Sequence, residues 1–526
     1  MKNLSILAAL AAALFVSSAN ADVREADVTG GRVTGVPADG VVSFKGIPFA
    51  APPVGPLRWR SPQPVKTWTG VKEAASFAPG CIQNAGSAGR FGAPPALSED
   101  CLYLNVWTPA KAASDKLPVM VWIYGGAFTG GMTSIPTYDG THLAQKGVVL
   151  VSVAYRLGAF GFLADADLTR ENGGSSGDFG LEDMIAGLKW VKNNIGKFGG
   201  DPARVTIFGE SAGGIAVSML SASPAAKGLF QGAISESGGN FGPARIDNGA
   251  TEGGVTMVTL KMAEAAGHQF LEKLGANDIK AARGLSAEKI QAGLGQAAQT
   301  RFWPVFDGKV LPSDQYELYE AGHFNDTPVL IGTNSDEGAS FARPGVTKAS
   351  FEEQVRTGYG KQADAILAAY PHASDEEAMQ SSRDLFRDSV FAWPTWAWAS
   401  LQSQKGKGKA YVYYFDHKTA RTPHGAQHAS EIGYVFHNLG ARGPAPQPED
   451  IAVSDLMSAY WTNFAKTGNP NGPGLPEWPA FTESSQRVMY FDGQSGAQPV
   501  PNITQLKAMD AYFAWRREQT RASSKH

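Results

Sequence analysis

Short runs of valine and isoleucine recur along this chain without polar alternation, and no other feature limits its fold as much. "PVMVWIYGG" (118–126), "VVLVSVAYR" (148–156), "RVTIFG" (204–209), "GAISESG" (232–238), "TPVLIGT" (327–333), "KAYVYYF" (409–415) and "RVMYF" (487–491) are such runs. A strand with one wet face alternates apolar and polar residues; a strand covered on both faces does not. Between two of these runs, "GLEDMIAGLKWVKNNIGKFGG" spaces Leu181, Met184, Ile185, Leu188, Val191 and Ile195 by threes and fours. That is one stripe of a helix, and Gly199-Gly200 stop it. "SAGGIAVSMLSA", directly after the 204–209 run, reads as a second helix. Buried strands alternating with helices predict an α/β fold with a doubly wound, mostly parallel central sheet. Segments 249–298 and 348–404 turn mostly helical and are expected to fold over one end of that sheet. No Pro/Gly/Ser-rich linker interrupts the pattern, so residues 22–526 read as a single domain.

The first residues, "MKNLSILAALAAALFVSSANAD", combine Lys2, an apolar run from Ile6 to Val16, and a small-x-small site at Ala19-Asn20-Ala21. The run is shorter than the roughly 20 residues that span a bilayer. Residues 1–21 are therefore expected to be a cleaved secretory signal, rather than a membrane anchor or buried first helix, leaving a periplasmic or secreted chain. Two cysteines, Cys81 and Cys101, follow it. In an oxidising compartment an even, nearby pair is expected to form a disulfide. The formal charge of −3, with no Lys/Arg cluster, gives no reason to expect nucleic acid or an anionic membrane surface as partner. The oligomeric state is not legible.

"FGESAGG" (208–214) sits where a strand should end and a helix begin. Gly-x-Ser-x-Gly arises by chance in a chain with 61 glycines, but a strand–turn–helix context is what a nucleophile elbow requires. Ser211 is then a candidate nucleophile, and Gly209 and Gly213 stand where a Cβ would collide with neighbouring backbone. "WIYGGAFTGG" (122–131) is a second glycine-rich loop after an earlier strand. With the helix start at Ala212, it offers the backbone N–H groups of Gly126, Ala127 and Ala212 as an oxyanion hole. In such folds an acid and then a histidine follow the serine. Asp336 and Glu337 both lie just past the 327–333 strand, and adjacent carboxylates cannot be separated on physical grounds alone. His372, His417, His424, His428 and His437 all follow them, with "HGAQHASEIGYVF" on the loop best placed for the base. His424 and His428 also form an i, i+4 pair, but the glutamate of H-E-x-x-H is missing and Gly425 disfavours a helix.

These residues resemble the type-B carboxylesterase/cholinesterase family of α/β-hydrolases. The matching stretches are "FGGDPARVTIFGESAGG" (198–214), "EDCLYLNVW" (99–107), "FKGIPFAAPPVGPLRW" (44–59), "AYRLGAFGFL" (154–163), "GTNSDEGASF" (332–341), "HASEIGYVF" (428–436) and "WTNFAKTGNPN" (461–471), in family order across nearly the whole mature chain. The resemblance implies an α/β-hydrolase fold with helical insertions over the active site. It implies Ser211 as nucleophile, Glu337 as acid and His428 as base of an ester hydrolase that needs no metal or cofactor. It further implies the Cys81–Cys101 disulfide, buried ion pairs Arg58–Glu99 and Arg156–Asp183, and supporting roles for Glu210 and Ser237. The disulfide loop holds Phe91 as its only aromatic where cholinesterases carry a tryptophan, so a choline ester is not expected. Ala127 stands where many members have a third glycine, which keeps the N–H, and Met184 replaces a frequent glutamine. Phe302, Trp303 and Phe306 match the acyl side of the family's gorge. Trp393, Trp396 and Trp398, each a core candidate singly, together suggest an apolar-walled entrance for small to medium uncharged esters. The alternatives are a lipase, a specialised esterase, a non-catalytic adhesion-type relative and a zinc-dependent hydrolase. The short glycine-rich flap disfavours a lipase, and the complete triad disfavours the adhesion-type relative.

Overall fold

The computed structural model describes residues 23–84, 96–245, 252–254, 256–296, 302–441 and 445–523. The expected signal segment 1–21 and Phe91 lie outside them. Eleven described strands make one large sheet: β1 (Val36–Ala38), β2 (Val41–Pro48), β3 (Tyr103–Thr108), β4 (Leu117–Ile123), β5 (Val149–Val153), β6 (Gly200–Glu210), β7 (Gly232–Glu236), β8 (Val329–Asn334), β9 (Ala410–Phe415), β10 (Arg487–Phe491) and β11 (Gly496–Pro499). Their spatial order is β11-β10-β9-β8-β7-β6-β4-β5-β3-β2-β1. Every neighbouring pair from β5 through β10 is parallel. The edges, β5-β3-β2-β1 on one side and β10-β11 on the other, are antiparallel.

The non-alternating runs have the expected cause. All residues of β5, β7 and β8, and all but the first of β4, are buried, because helices cover both faces. Among them are α1 (Phe179–Asn194), whose apolar stripe is buried as its spacing predicts, and α2 (Ala212–Ala222), buried on every side. The N-terminal strands and β3 do not stand out as apolar runs. They pair antiparallel, and β1 and β2 carry exposed or half-buried positions that break up the apolar signal.

The segment 348–404 is helical, as expected, with α3 (Asp375–Arg387) and α4 (Trp393–Lys405) at its end. The cysteines form a disulfide, and both implied ion pairs are present. Arg58 reaches Glu99 through two bonds of 2.6 and 2.7 Å, and Arg156 reaches Asp183 through two of 2.7 and 2.8 Å. Among the described residues no helix is long and apolar enough to cross a membrane.

Candidate active site

Four loops meet at the carboxyl ends of β4, β6, β8 and β9. Strand β6 lies beside β4 on one side while β5 lies on the other. The connections therefore diverge there, and a crevice opens at the strand ends.

Ser211 links β6 to α2 at φ 53, ψ −123, a backbone conformation that non-glycine residues rarely hold. Its neighbours enforce it. A Cβ on Gly213 would lie 2.0 Å from the Ile123 carbonyl oxygen, and one on Gly209 would lie 2.5 Å from the same atom. The Ser211 N–H donates to the Glu236 carbonyl at the end of β7, 2.8 Å away. The turn therefore has to be this tight, and it lifts the hydroxyl clear of the sheet at the amino end of α2, where negative charge is favoured.

The hydroxyl meets His428. Its Oγ is 2.9 Å from His428 Nε2, and His428 Nδ1 is 2.5 Å from Glu337 Oε2. Glu337, fully buried, also accepts from the Asn334 N–H at 2.8 Å and from the Ser237 hydroxyl at 2.5 Å. The geometry thus separates the two adjacent carboxylates. Asp336 points toward Arg383, 3.9 Å away, and does not touch the imidazole. Among the histidines, His417 bonds Asp450, His437 bonds Ser454, and His372 bonds the Tyr370 carbonyl. Residues 424–428 are turn, loop and an isolated bridge at Gln427 rather than helix, so His424 and His428 share no helical face.

The glycine-rich loop after β4 packs against the nucleophile. A Cβ on Gly125 would fall 2.6 Å from the Glu210 carbonyl oxygen and 3.0 Å from Ser211 Cβ. Gly126, Ala127 and Phe128 all have positive φ (111, 56 and 58°). Among the described residues, no backbone carbonyl accepts from the N–H groups of Gly126, Ala127 or Ala212.

The electrostatics are dominated by buried carboxyls. Glu210, Glu236, Glu337 and Glu431 are all essentially inaccessible, and His428 is their only salt-bridge partner among the described residues. Burial pushes Glu210 up to about 8, with Glu431 and Glu337 adding to the effect against the pull of His428. Burial likewise takes Glu431 to about 7 and Glu236 well above the usual carboxylate range. For His428, burial works downward, but Glu210 (3.2 Å away), Glu337 and Glu431 outweigh it and hold the imidazole at about 9.

The reading from sequence missed part of this site. Glu431 lies three residues after His428 and bonds Asn334 Nδ2 at 2.5 Å and the Ser237 hydroxyl at 3.3 Å. Its position in "HASEIGYVF" was the available signal. It also missed the aromatic wall: Phe341 and Phe391 lie 5.1 and 4.8 Å from the His428 ring, with Phe386 beside both. The expected entrance tryptophans are corrected. Trp393 stacks on Phe513 and Trp398 packs between Phe241 and Tyr319, both fully buried, because α4 turns them into the core. Trp396 borders a small cavity with Tyr413 and Leu506. Of the acyl-side trio, Trp303 reaches the glycine-rich loop, 5.3 Å from Phe128, while Phe302 is buried against Phe270.

Comparison with known proteins gives a consistent picture. The carboxylesterase family model matches residues 17–510. The chain is 39% identical over 502 residues to the fumonisin B1 esterase of Sphingopyxis macrogoltabida, covering 91% of this chain and 88% of that protein. It is 36% identical over 485 residues to the para-nitrobenzyl esterase of Bacillus subtilis (strain 168), covering 88% and 94%. Among solved structures, a PNB esterase aligns with a TM-score of 0.82 at 34% identity, covering 92% of this chain and 99% of the other.

Proposed function

The chain belongs to the carboxylesterase family and is a carboxylic ester hydrolase with the α/β-hydrolase fold, and from that premise we propose that Ser211, His428 and Glu337 carry its reaction. The observation that carries this reading is the unbroken hydrogen-bonded chain from Ser211 Oγ through the imidazole to Glu337. His428 takes the Ser211 proton as the hydroxyl attacks an ester carbonyl. Glu337 holds the imidazole in the tautomer that leaves Nε2 free and then stabilises the imidazolium. The oxyanion rests on the N–H groups of Gly126, Ala127 and Ala212, each worth about 3 to 4 kcal/mol in the transition state. The alcohol leaves with the proton from His428, and an acyl-enzyme remains on Ser211. Water then attacks, giving its proton to His428, and the acid departs as Ser211 is restored. Glu210 and Ser237 support the imidazole and Glu337 from behind. The scheme asks for no metal or cofactor.

Small to medium uncharged esters fit best. Aromatic rings of Phe341 and Phe391 stand beside His428, and an apolar wall of that kind favours uncharged groups. The names of two relatives, a fumonisin B1 esterase and a para-nitrobenzyl esterase, are compatible with a specialised esterase. We also propose that residues 1–21 are removed on export and that 22–526 function as one domain in the periplasm or outside the cell, a reading the Cys81–Cys101 disulfide supports.

Hydrolysis of a p-nitrophenyl series from acetate to palmitate, by the mature chain and by Ser211→Ala, tests this. Short-chain esters should be preferred, and the variant should lose about four or more orders of magnitude in kcat. Turnover persisting in Ser211→Ala overturns the mechanism; a long-chain optimum replaces the esterase reading with a lipase.

A further inference from the structure

Helices α3 and α4 are continuous through an unusual turn. Residues Asp388–Ala392 form a π-helix, with one more residue than an α-helical turn holds. The sequence explains the widening. Pro394, at the start of α4, has no N–H to give, and its ring would collide with the carbonyl four residues back, that of Val390. A wider turn relieves both problems.

The turn is anchored to the acid and histidine loops. Arg387 Nε pairs with Asp388 Oδ1 at 2.7 Å, and its Nη1 donates to the Ser335 carbonyl at 2.9 Å and to Asp384 at 2.8 Å. The Tyr370 hydroxyl donates to the other Asp388 oxygen at 2.9 Å. Ser335 in turn accepts, through its hydroxyl, the N–H of Ala426 on the histidine loop at 2.8 Å. Pro394 itself packs on Gly239, where a Cβ would lie 2.6 Å away. What this fixed turn presents is Phe391, buried, its ring 4.8 Å from that of His428 and inclined by only 23°.

We propose that the π-helical turn is a positioning device for the reaction, and that Phe391 acts through His428 by holding the imidazole plane and favouring its protonated form. The inference rests on His428 being the base. An added residue rotates the downstream helix by about 100° relative to a regular one. The turn therefore lets α3 and α4 each keep their own buried faces while Phe391, within the turn, is set against the His428 ring. The face of a benzene ring carries negative potential and attracts an imidazolium more than an imidazole. Its contribution grows as the proton leaves Ser211, so it acts on kcat. The other groups facing His428 are Glu210, Glu337 and Glu431; on the helix side, Asp384, Asp388 and Arg387 pair among themselves.

The test compares Phe391→Leu, Phe391→Met and Phe391→Tyr on a short p-nitrophenyl ester across pH. Loss of the ring should lower kcat by about tenfold with KM within about twofold, and should move the acid limb of the pH profile down by roughly half a unit. The tyrosine variant should recover both. Leucine and methionine variants that match wild type in kcat and pH profile overturn the proposal. So does a loss confined to KM, which makes Phe391 a substrate wall. A second readout needs no variant at position 391: in wild-type protein with ring-labelled histidine, the His428 signal, assigned by its loss in His428→Gln, should be displaced upfield by the Phe391 ring current. An undisplaced signal overturns the proposal even if the variants fail to fold. Activity surviving in His428→Gln instead removes the base assignment itself, which separates the two failures.

Discussion

Replacing Glu210 by glutamine keeps the shape of the side chain and removes its charge, which tests how His428 is held above its ordinary range. The carboxylate lies 3.2 Å from Nε2. At that distance two unit charges in an effective dielectric of about 20 interact by about 5 kcal/mol, equivalent to ~4 pH units. That figure is a ceiling. Burial holds Glu210 itself up to about 8, so over much of the neutral range the two groups share protons and titrate together. The net displacement should be roughly one to two units. The competent enzyme has a neutral imidazole, so the acid limb of kcat/KM should move to lower pH by that amount in Glu210→Gln. The plateau at high pH should fall, because the same carboxylate stabilises the imidazolium in the transition state. Stability gives an independent sign. A carboxyl raised to about 8 in the fold costs stability as pH climbs from its unfolded value, about 4.3, toward 8. The raised imidazole contributes fully below about 6.5 and nothing once pH passes about 9. The glutamine variant lacks the first slope, and denaturant midpoints taken from pH 5 to 9 should show it flattened. An acid limb that does not move would refute the reasoning, since Glu210 would then carry no charge when His428 titrates.

Other expectations rest on the same contacts. Gly213→Ala must push a Cβ into the Ile123 carbonyl, 2.0 Å away; a loss of about 3 kcal/mol or more by thermal melting, with collapse of esterase activity, is expected. Asp183→Asn leaves the buried Arg156 guanidinium without its ion pair and should cost about 3 to 5 kcal/mol in urea unfolding. Reducing Cys81–Cys101, which closes a loop spanning a sequence separation of 20, should lower the unfolding free energy by about 3 kcal/mol, read as a midpoint shift with and without dithiothreitol.

Much of the fold was legible because the central strands are buried on both faces, and that leaves a composition signature. The β6–Ser211–α2 junction was equally plain, since strand, turn glycines and helix succeed one another without a gap. The choice between Asp336 and Glu337 was legible only through the family resemblance, because neighbouring residues differ only in direction and direction is set by β8 and its partners. The aromatic wall was hidden for a related reason. Trp393, Trp398 and Phe391 look alike in a helical stretch, and only the register change at Asp388–Ala392 decides which ring faces the site. Glu431 was obscured because a buried carboxylate stands out only once burial is known.

The proposed triad members come from distant parts of the chain: Ser211 and His428 are 217 residues apart, and Glu337 and His428 are 91 apart. Strands β8 and β9 must therefore take their places before nucleophile, base and acid can meet. A ribosome-bound or translocating chain that has not yet delivered residue 428 holds a serine with no base, and is chemically inert. The enzyme's activity thus reports that the sheet has been built at least as far as β9. In refolding, recovery of ester hydrolysis should trail the return of helical and strand signals, and a cut between residues 337 and 428 that frees the two pieces should silence the enzyme while leaving Ser211 intact.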